Sequence, residues 1–263
     1  MTALLIQESD PLSTKEIYLP PFPSKKKRST PLPKNINTRV NTMRYALIDG
    51  VKSEALPKGR GLCRACEGEV VAKCGKFKVW HWSHKSLTDC DQWWESETDW
   101  HRNWKDKFPQ EWQEVILRDH VLQEKHIADV RTEHGVVIEF QRSSINPTEV
   151  STRENFYQRM VWVIDGLKSD FDKINFSMSR TYPDNNGFAR FEWFSRSKLF
   201  HRWHTTKPVF IDFGNEHGFW RVCRFDPSTK KGVVMLVDRD MFVTALVNGE
   251  TDFSKNGGPA SLL

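Results

Sequence analysis

Two acids face one another in the stretch HIADVRTEHGVVIEFQRS, residues 126–143. Side chains alternate along a strand. Ile127, Asp129 and Arg131 therefore share one face of the first strand, and Val137, Glu139 and Gln141 share one face of the second. Ala128, Val130, Val136, Ile138 and Phe140 fill the opposite faces. The connection Glu133-His134-Gly135 suits a three-residue loop that ends on a left-handed glycine, and such a loop sets Asp129 opposite Glu139. Directly opposed residues have Cβ atoms about 4.5–5.5 Å apart. Two ionised carboxylates at that separation repel unless a cation lies between them or one keeps its proton. Mg²⁺ or Mn²⁺ resolves the conflict, because such an ion takes oxygen ligands together with substrate phosphate and water. The chemistry it supplies is polarisation of a phosphodiester and easier deprotonation of bound water. The plainer reading is a pair of exposed strand acids, one of them matched by Arg131 or Arg142.

A helix upstream presents further groups. In ESETDWHRNWKDKF, Glu97, His101, Trp104, Lys105 and Phe108 recur at helical spacing. Glu97 can add a carboxylate to the ion site, His101 can relay a proton or contact phosphate, and Lys105 can supply a positive charge beside the acids. The alternative is a solvated stripe of charge pairs. Downstream, Arg153 and Tyr157 lie four apart on a second helix, placed to hold a phosphate or simply to pack together.

A separate cluster lies in CRACEGEVVAKCGKFKVWHWSHKSLTDC. Its Cys-x-x-Cys pair offers two thiolates, and a tetrahedral Zn²⁺ needs two more donors. Cys63, Cys66, His84 and Cys90 are the expected set, with His81 in reserve and Cys74 left out. Four protein donors close the site, so the zinc is structural. Seven of the 11 tryptophans fall between Trp80 and Trp112. Such rings stack on bases or cover a zinc site and line a helix.

These residues need elements to carry them. Ser96 and Asp99 predict a helix beginning near Glu97, limited by Pro109. EVILRD, HIADVR and VVIEFQ read as strands, Pro147 opens a second helix after Asn146, and MVWVID is a further strand. The order is αβββαβ. RYALIDGVKSEALP reads as a hairpin, and folded structure is expected from Met43. Residues 1–42, rich in proline around Lys25 to Arg28, read as a disordered leader. Residues 43–92 form the zinc-binding module, 93–166 the core and 167–263 a β-rich C-terminal region. In that last region KPVFIDFG, GFWRVCRFD and GVVMLVD read as strands, Asp240 to Val247 as a closing helix and Cys223 as a buried core thiol.

Length permits one large domain or two small ones, and the net charge of +5 permits a polyanionic partner without requiring one. No apolar run approaches the roughly 20 residues that span a bilayer. The first residues, MTALLIQESD, argue against a secretory signal. Crowded cysteines without such a signal suggest metal before disulfides, and the cytoplasm is the expected setting.

Asp129…Glu139-Phe140-Gln141 on the second and third strands after a helix resembles the PD-(D/E)XK nuclease superfamily, with Gln141 in the lysine place. Glutamine carries no proton as lysine does; it can ligate through its carbonyl or orient a water. HWSHKSLTDCD, ESETDWHRNWK, IADV, IEFQRS and the Arg153-Tyr157 pair together resemble the competence protein CoiA family over about residues 43–166. The family commonly shows Glu-x-Gln. The long leader and ESETDWH, where relatives usually have a Pro-Glu-His-like run, depart from its pattern. The resemblance implies a nuclease linked to DNA uptake and recombination. Asp129, Glu139 and Glu97 would hold Mg²⁺ or Mn²⁺, Gln141 and His101 would position water or phosphate, and Lys105, Arg153 and Tyr157 would contact DNA, single-stranded or branched forms included. The rival readings are a non-catalytic DNA-binding protein of nuclease-like fold and a scaffold for a recombination or phage-defence partner.

Overall fold

Over residues 42–253, a computed structural model describes all positions except 87–89, 92, 94, 120–123, 195, 197, 204 and 205. The proline-rich leader and its lysine run lie outside the described residues. All described residues belong to the second of two units, Thr38–Leu263.

The first sheet is antiparallel and holds β1 (Thr42–Met43), β2 (Tyr45–Ile48), β3 (Val51–Glu54), β4 (Arg60–Leu62), β5 (Glu69–Lys73) and β6 (His81–His84). Their order is β1-β6-β5-β4-β2-β3. The expected hairpin over RYALIDGVKSEALP is β2 and β3, turned by Asp49 at φ 50° and Gly50 at φ 81°. An Asp-Gly pair tolerates those two left-handed positions.

The elements that follow come in the expected order: α1 (Asp99–Lys105), β7 (Gln113–Asp119), β8 (Glu124–Arg131), β9 (Val137–Gln141), α2 (Pro147–Tyr157) and β10 (Met160–Asp165). One boundary differs. Helix α1 is capped by Thr98, so Glu97 precedes it in the extended lead-in and does not ride on its first turn. Helix α2 begins as read, with Pro147 at its start and the Asn146 side chain accepting from the Glu149 amide at 2.8 Å. Strands β7, β8 and β9 form an antiparallel meander, and β10 returns parallel to β9.

Residues beyond β10 continue the same sheet and do not stand apart. They supply α3 (Asp170–Ser179), β11 (Phe188–Glu192), β12 (Val209–Asp212), the short α4 (Gly214–His217), β13 (Phe219–Asp226), β14 (Lys231–Leu236) and α5 (Arg239–Val247). Strand β12 pairs parallel with β10, from Trp162↔Val209 to Asp165↔Asp212. The eight-stranded order is β11-β14-β13-β12-β10-β9-β8-β7. The β-rich expectation omits α3 and β11. In α3 the apolar Phe171, Ile174 and Met178 are exposed and Phe176 alone is buried, so its pattern gives no readable inner face.

Apolar side chains cover both faces of the large sheet. Trp104 of α1 packs with Ile138, Phe140, Phe210 and Phe242 on one side. Tyr157, Trp162, Phe176 and Phe213 pack on the other. Cys223 is not a core thiol: the pairing of β13 with β14 slips between Val222 and Arg224, and the bulge leaves Cys223 exposed. No helix among the described residues is long and apolar enough to cross a membrane.

Candidate functional site

Gly135 adopts φ 76° at the end of its loop, and Val130↔Ile138 and Arg131↔Val137 are paired. The ladder stops there, and extending its register by one step sets Asp129 against Glu139. Their carboxylates reach across to the neighbouring main chain. The Asp129 amide donates to Glu139 Oε1 at 3.3 Å, and the Phe140 amide donates to Asp129 Oδ2 at 2.9 Å. Burial, reinforced by the Asp129 charge, pushes the Glu139 carboxyl up to about 8. Lys105 and neighbouring donors hold Asp129 below its ordinary range against the effect of burial.

Two protein cations meet this charge. Lys105 Nζ lies 3.0 Å from Asp129 Oδ1, 3.0 Å from Glu97 Oε2 and 3.4 Å from Glu114 Oε1. Burial alone would lower its pKa, yet these carboxylates hold the ammonium well above its usual value. Arg153 donates to Glu139 Oε2 at 3.0 Å, Glu149 Oε1 at 2.6 Å and the Trp93 carbonyl at 2.7 Å. Tyr157 packs edge-on against Trp93 and Phe156. Burial and the Glu139 charge raise its phenol well above the usual range. Lys105, Arg153 and Tyr157, expected to touch nucleic acid, are 2%, 5% and 7% exposed. Both cations face the acids.

The rest of α1 is fixed by packing. Trp104 is buried and its indole N–H donates to Asp212 Oδ2 at 2.9 Å, while Trp100 donates to the same oxygen at 3.2 Å. That anchoring turns His101 and Lys105 into the cleft, which Glu97, Glu95, Glu114, Asp129 and Glu139 also line. His101 Nδ1 lies 2.8 Å from Thr98 Oγ1; its Nε2 is buried without a hydrogen bond, 3.9 Å from Glu95 Oε2. Glu97 Oε1 is likewise buried without a hydrogen bond, with Arg102 Nε 3.7 Å away.

Gln141 turns to a residue that sequence reasoning missed. Its amide donates to Glu95 Oε2 at 2.8 Å and to Ser143. Glu95 also accepts from the Arg142 amide at 3.0 Å and from the Ser143 amide. Glu95 lies outside any regular element, so no periodicity marks it. Glu114 was also missed. It sits in β7 at φ 48°, and its carboxylate accepts the amides of Arg44 at 2.8 Å and Tyr45 at 3.1 Å. Asp91 completes the set: it contacts His126 Nδ1 at 2.9 Å and accepts the Ile127 amide at 2.8 Å.

Cys63, Cys66, His84 and Cys90 come together as a possible metal centre. One ligand atom from each lies within 4.8 Å of all the others, and among the described residues they form the one such group. Cys63 Sγ and Cys90 Sγ are 3.6 Å apart, and Cys66 Sγ and His84 Nε2 are 3.2 Å apart. Zn–S and Zn–N lengths of about 2.3 and 2.0 Å imply tetrahedral edges of about 3.5–3.8 Å, so these donors fit zinc closely. His81 belongs elsewhere, its Nδ1 lying 2.8 Å from the Val79 carbonyl, and Cys74 is outside the group. Cys63, Cys90 and Trp82 form a small core with Val70, against which Ile116 of β7 and Ile127 of β8 pack. The cluster therefore backs onto the strands that carry Glu114 and Asp129. Most of the tryptophans are used in packing, Trp82 and Trp104 among them, while Trp80 is 44% exposed.

No curated protein and no solved structure matches the chain. Residues 50–92, which contain all four clustered Cys and His donors, match the family model of the competence protein CoiA N-terminal domain. That match supports a likeness to the CoiA family over this segment.

Proposed function

We propose that this protein is a metal-dependent deoxyribonuclease of DNA processing or recombination, with a PD-(D/E)XK-like core over residues 93–166. The observation that carries the reading is the convergence of Glu97, Asp129 and Glu139 with Lys105 and His101 in one cleft. Hard oxygen donors suit Mg²⁺ or Mn²⁺, and the buried Glu97 Oε1, which accepts no hydrogen bond and has only Arg102 Nε at 3.7 Å, fits a role as ligand. Asp129, Glu139 and Glu97 would hold the ion, which when bound supplies Lewis-acid activation of a phosphodiester and of water. Lys105 already sits on Asp129, so a cation taking that oxygen competes with the ammonium. Lys105 supplies the positive charge that Gln141 lacks. Gln141 holds Glu95 in place with its amide, leaving its carbonyl oxygen to orient water. His101, fixed through Nδ1, presents Nε2 to the cleft as a proton carrier. The competence role named for the matching family supports a DNA substrate.

The test is cleavage of single-stranded, branched and duplex DNA with Mg²⁺, Mn²⁺ and EDTA. Cleavage dependent on a divalent ion and lost in Asp129→Asn, with a folded circular dichroism spectrum retained, is expected. Full activity in that variant removes the cleft from the chemistry.

One observation favours a second reading, a non-catalytic DNA-binding protein. Lys105 and Arg153 compensate Asp129 and Glu139 with no divalent ion required. This reading predicts salt-dependent DNA binding and no cutting with either metal.

A further inference from the structure

The acid cleft opens onto a surface of opposite charge. Thr42 and Glu95 line both the cleft and a neighbouring trough bounded by Lys73, Lys78, His81, Arg142 and Lys168. Arg142, Ser143, Ser144 and Lys168 then line a second depression that continues to Arg196, Lys198 and Arg202. The three hollows share walls and form one path. It passes the carboxyl ends of the parallel strands β9 and β10, where open α/β sheets place ligands.

The cations on this path are not spent internally, unlike those in the cleft. Among the described residues, Lys73, Lys78, Lys168, Lys198 and Arg202 form no ion pair, and Arg142 alone is matched, by the buried Asp165. Exposed aromatics lie in the chain segment between Lys73 and His81, two residues that line the trough. Phe77, between Lys76 and Lys78, is fully exposed, and Trp80 is 44% exposed. Basic side chains that track a backbone, with rings beside them, are what an unpaired strand requires, because every base has a π-face. A duplex keeps its bases stacked and offers them no partner.

We propose that this trough holds the phosphate backbone of single-stranded DNA, with Phe77 and Trp80 stacking on its bases and the strand passing Glu95 into the acid cleft. The proposal rests on the nuclease reading for the identity of the strand as DNA. It places the phosphate contacts on Lys73, Lys78, Lys168, Lys198 and Arg202, and leaves Lys105 and Arg153 to the acids.

The test is binding of oligothymidylate in EDTA by the full chain carrying Asp129→Asn, so that cleavage cannot interfere. Lys168→Ala with Lys198→Ala should weaken binding about tenfold or more and flatten the salt slope by about 0.7 per contact removed. Phe77→Ala with Trp80→Ala should weaken binding about thirtyfold or more while leaving that slope unchanged. Arg190→Ala with Lys231→Ala, on the distant β11–β14 edge, should bind as the parent does. All these side chains are exposed, and unchanged melting curves confirm folding. Parental binding by the Lys168 and Lys198 variant overturns the trough. Equal affinity for duplex DNA overturns the single-strand assignment, and tighter binding of oligouridylate overturns the assignment to DNA. Loss of binding in the trough variants of a protein that never cuts leaves the trough standing and sinks the nuclease reading alone. Metal-dependent cutting by a protein whose trough variants bind normally does the reverse.

Discussion

The ammonium of Lys105 lies 3.0 Å from Asp129 Oδ1. This contact joins the helix before the meander to its central strand, and it offsets the charge of Asp129. Glu97 and Glu114 close around the same nitrogen.

Removing that charge strands three carboxylates. Lys105→Ala should destabilise the fold by about 3–5 kcal/mol, the usual cost of breaking a buried pair from one side. Adding Asp129→Asn should recover part of the loss. Urea denaturation of the single and double variants measures this, and a cost in the single variant no larger than for exposed Lys76→Ala contradicts it.

Glu139 sets a pH dependence. Its folded carboxyl titrates at about 8 against an ordinary 4.5, so between these values the folded chain keeps a proton that the unfolded chain releases. Stability from this group is therefore complete at low pH and declines as pH rises through that window. Glu139→Gln removes the titrating group but keeps an acceptor for Arg153. The melting temperature of the parent should fall relative to this variant as pH climbs to about 8; parallel curves would refute it.

A metal held by Cys63, Cys66, His84 and Cys90 would leave a thiol signature. Protein purified without chelator should carry a single zinc per chain, and Cys63→Ser should lower that content. Cys223, exposed at its bulge, should react with a thiol reagent in the metal-loaded protein, whereas Cys63 and Cys90 are buried. A strong chelator should expose these two to the reagent and lower the melting temperature. Mass spectrometry of labelled peptides reads the order of reaction.

Glu114 ties the two sheets together. Glu114→Ala leaves the Arg44 and Tyr45 amides without their acceptor. Each buried unsatisfied donor costs about 1–3 kcal/mol. Glu114→Gln, which retains one carbonyl oxygen, should lose less. Hydrogen exchange at Arg44 and Tyr45 should rise in the alanine variant first.

Local patterns made the hairpin legible. Strict alternation and Gly135 fixed the register that brings Asp129 beside Glu139, and helical spacing linked His101 to Lys105. Glu95 and Asp91 escaped because they lie in irregular chain between the sheets, where no period applies. Glu114 escaped because its role depends on main-chain amides near the start of the first sheet. Arg153 showed its helix but not its burial, since what covers that face is Trp93, another residue outside any regular element. Strand pairing across the C-terminal half is non-local, so VFID gave no sign that it would lie alongside VWVI.

That last pairing limits how the chain can be dissected. Severing it after Gly166 would strip β12 from β10 and lay bare the hydrogen-bonding edge of a hydrophobic strand, inviting aggregation. A fragment of this kind would report on misassembly and not on what the missing half contributes. Work on partners should use point substitutions in an intact polypeptide, with fusion tags placed beyond Phe253.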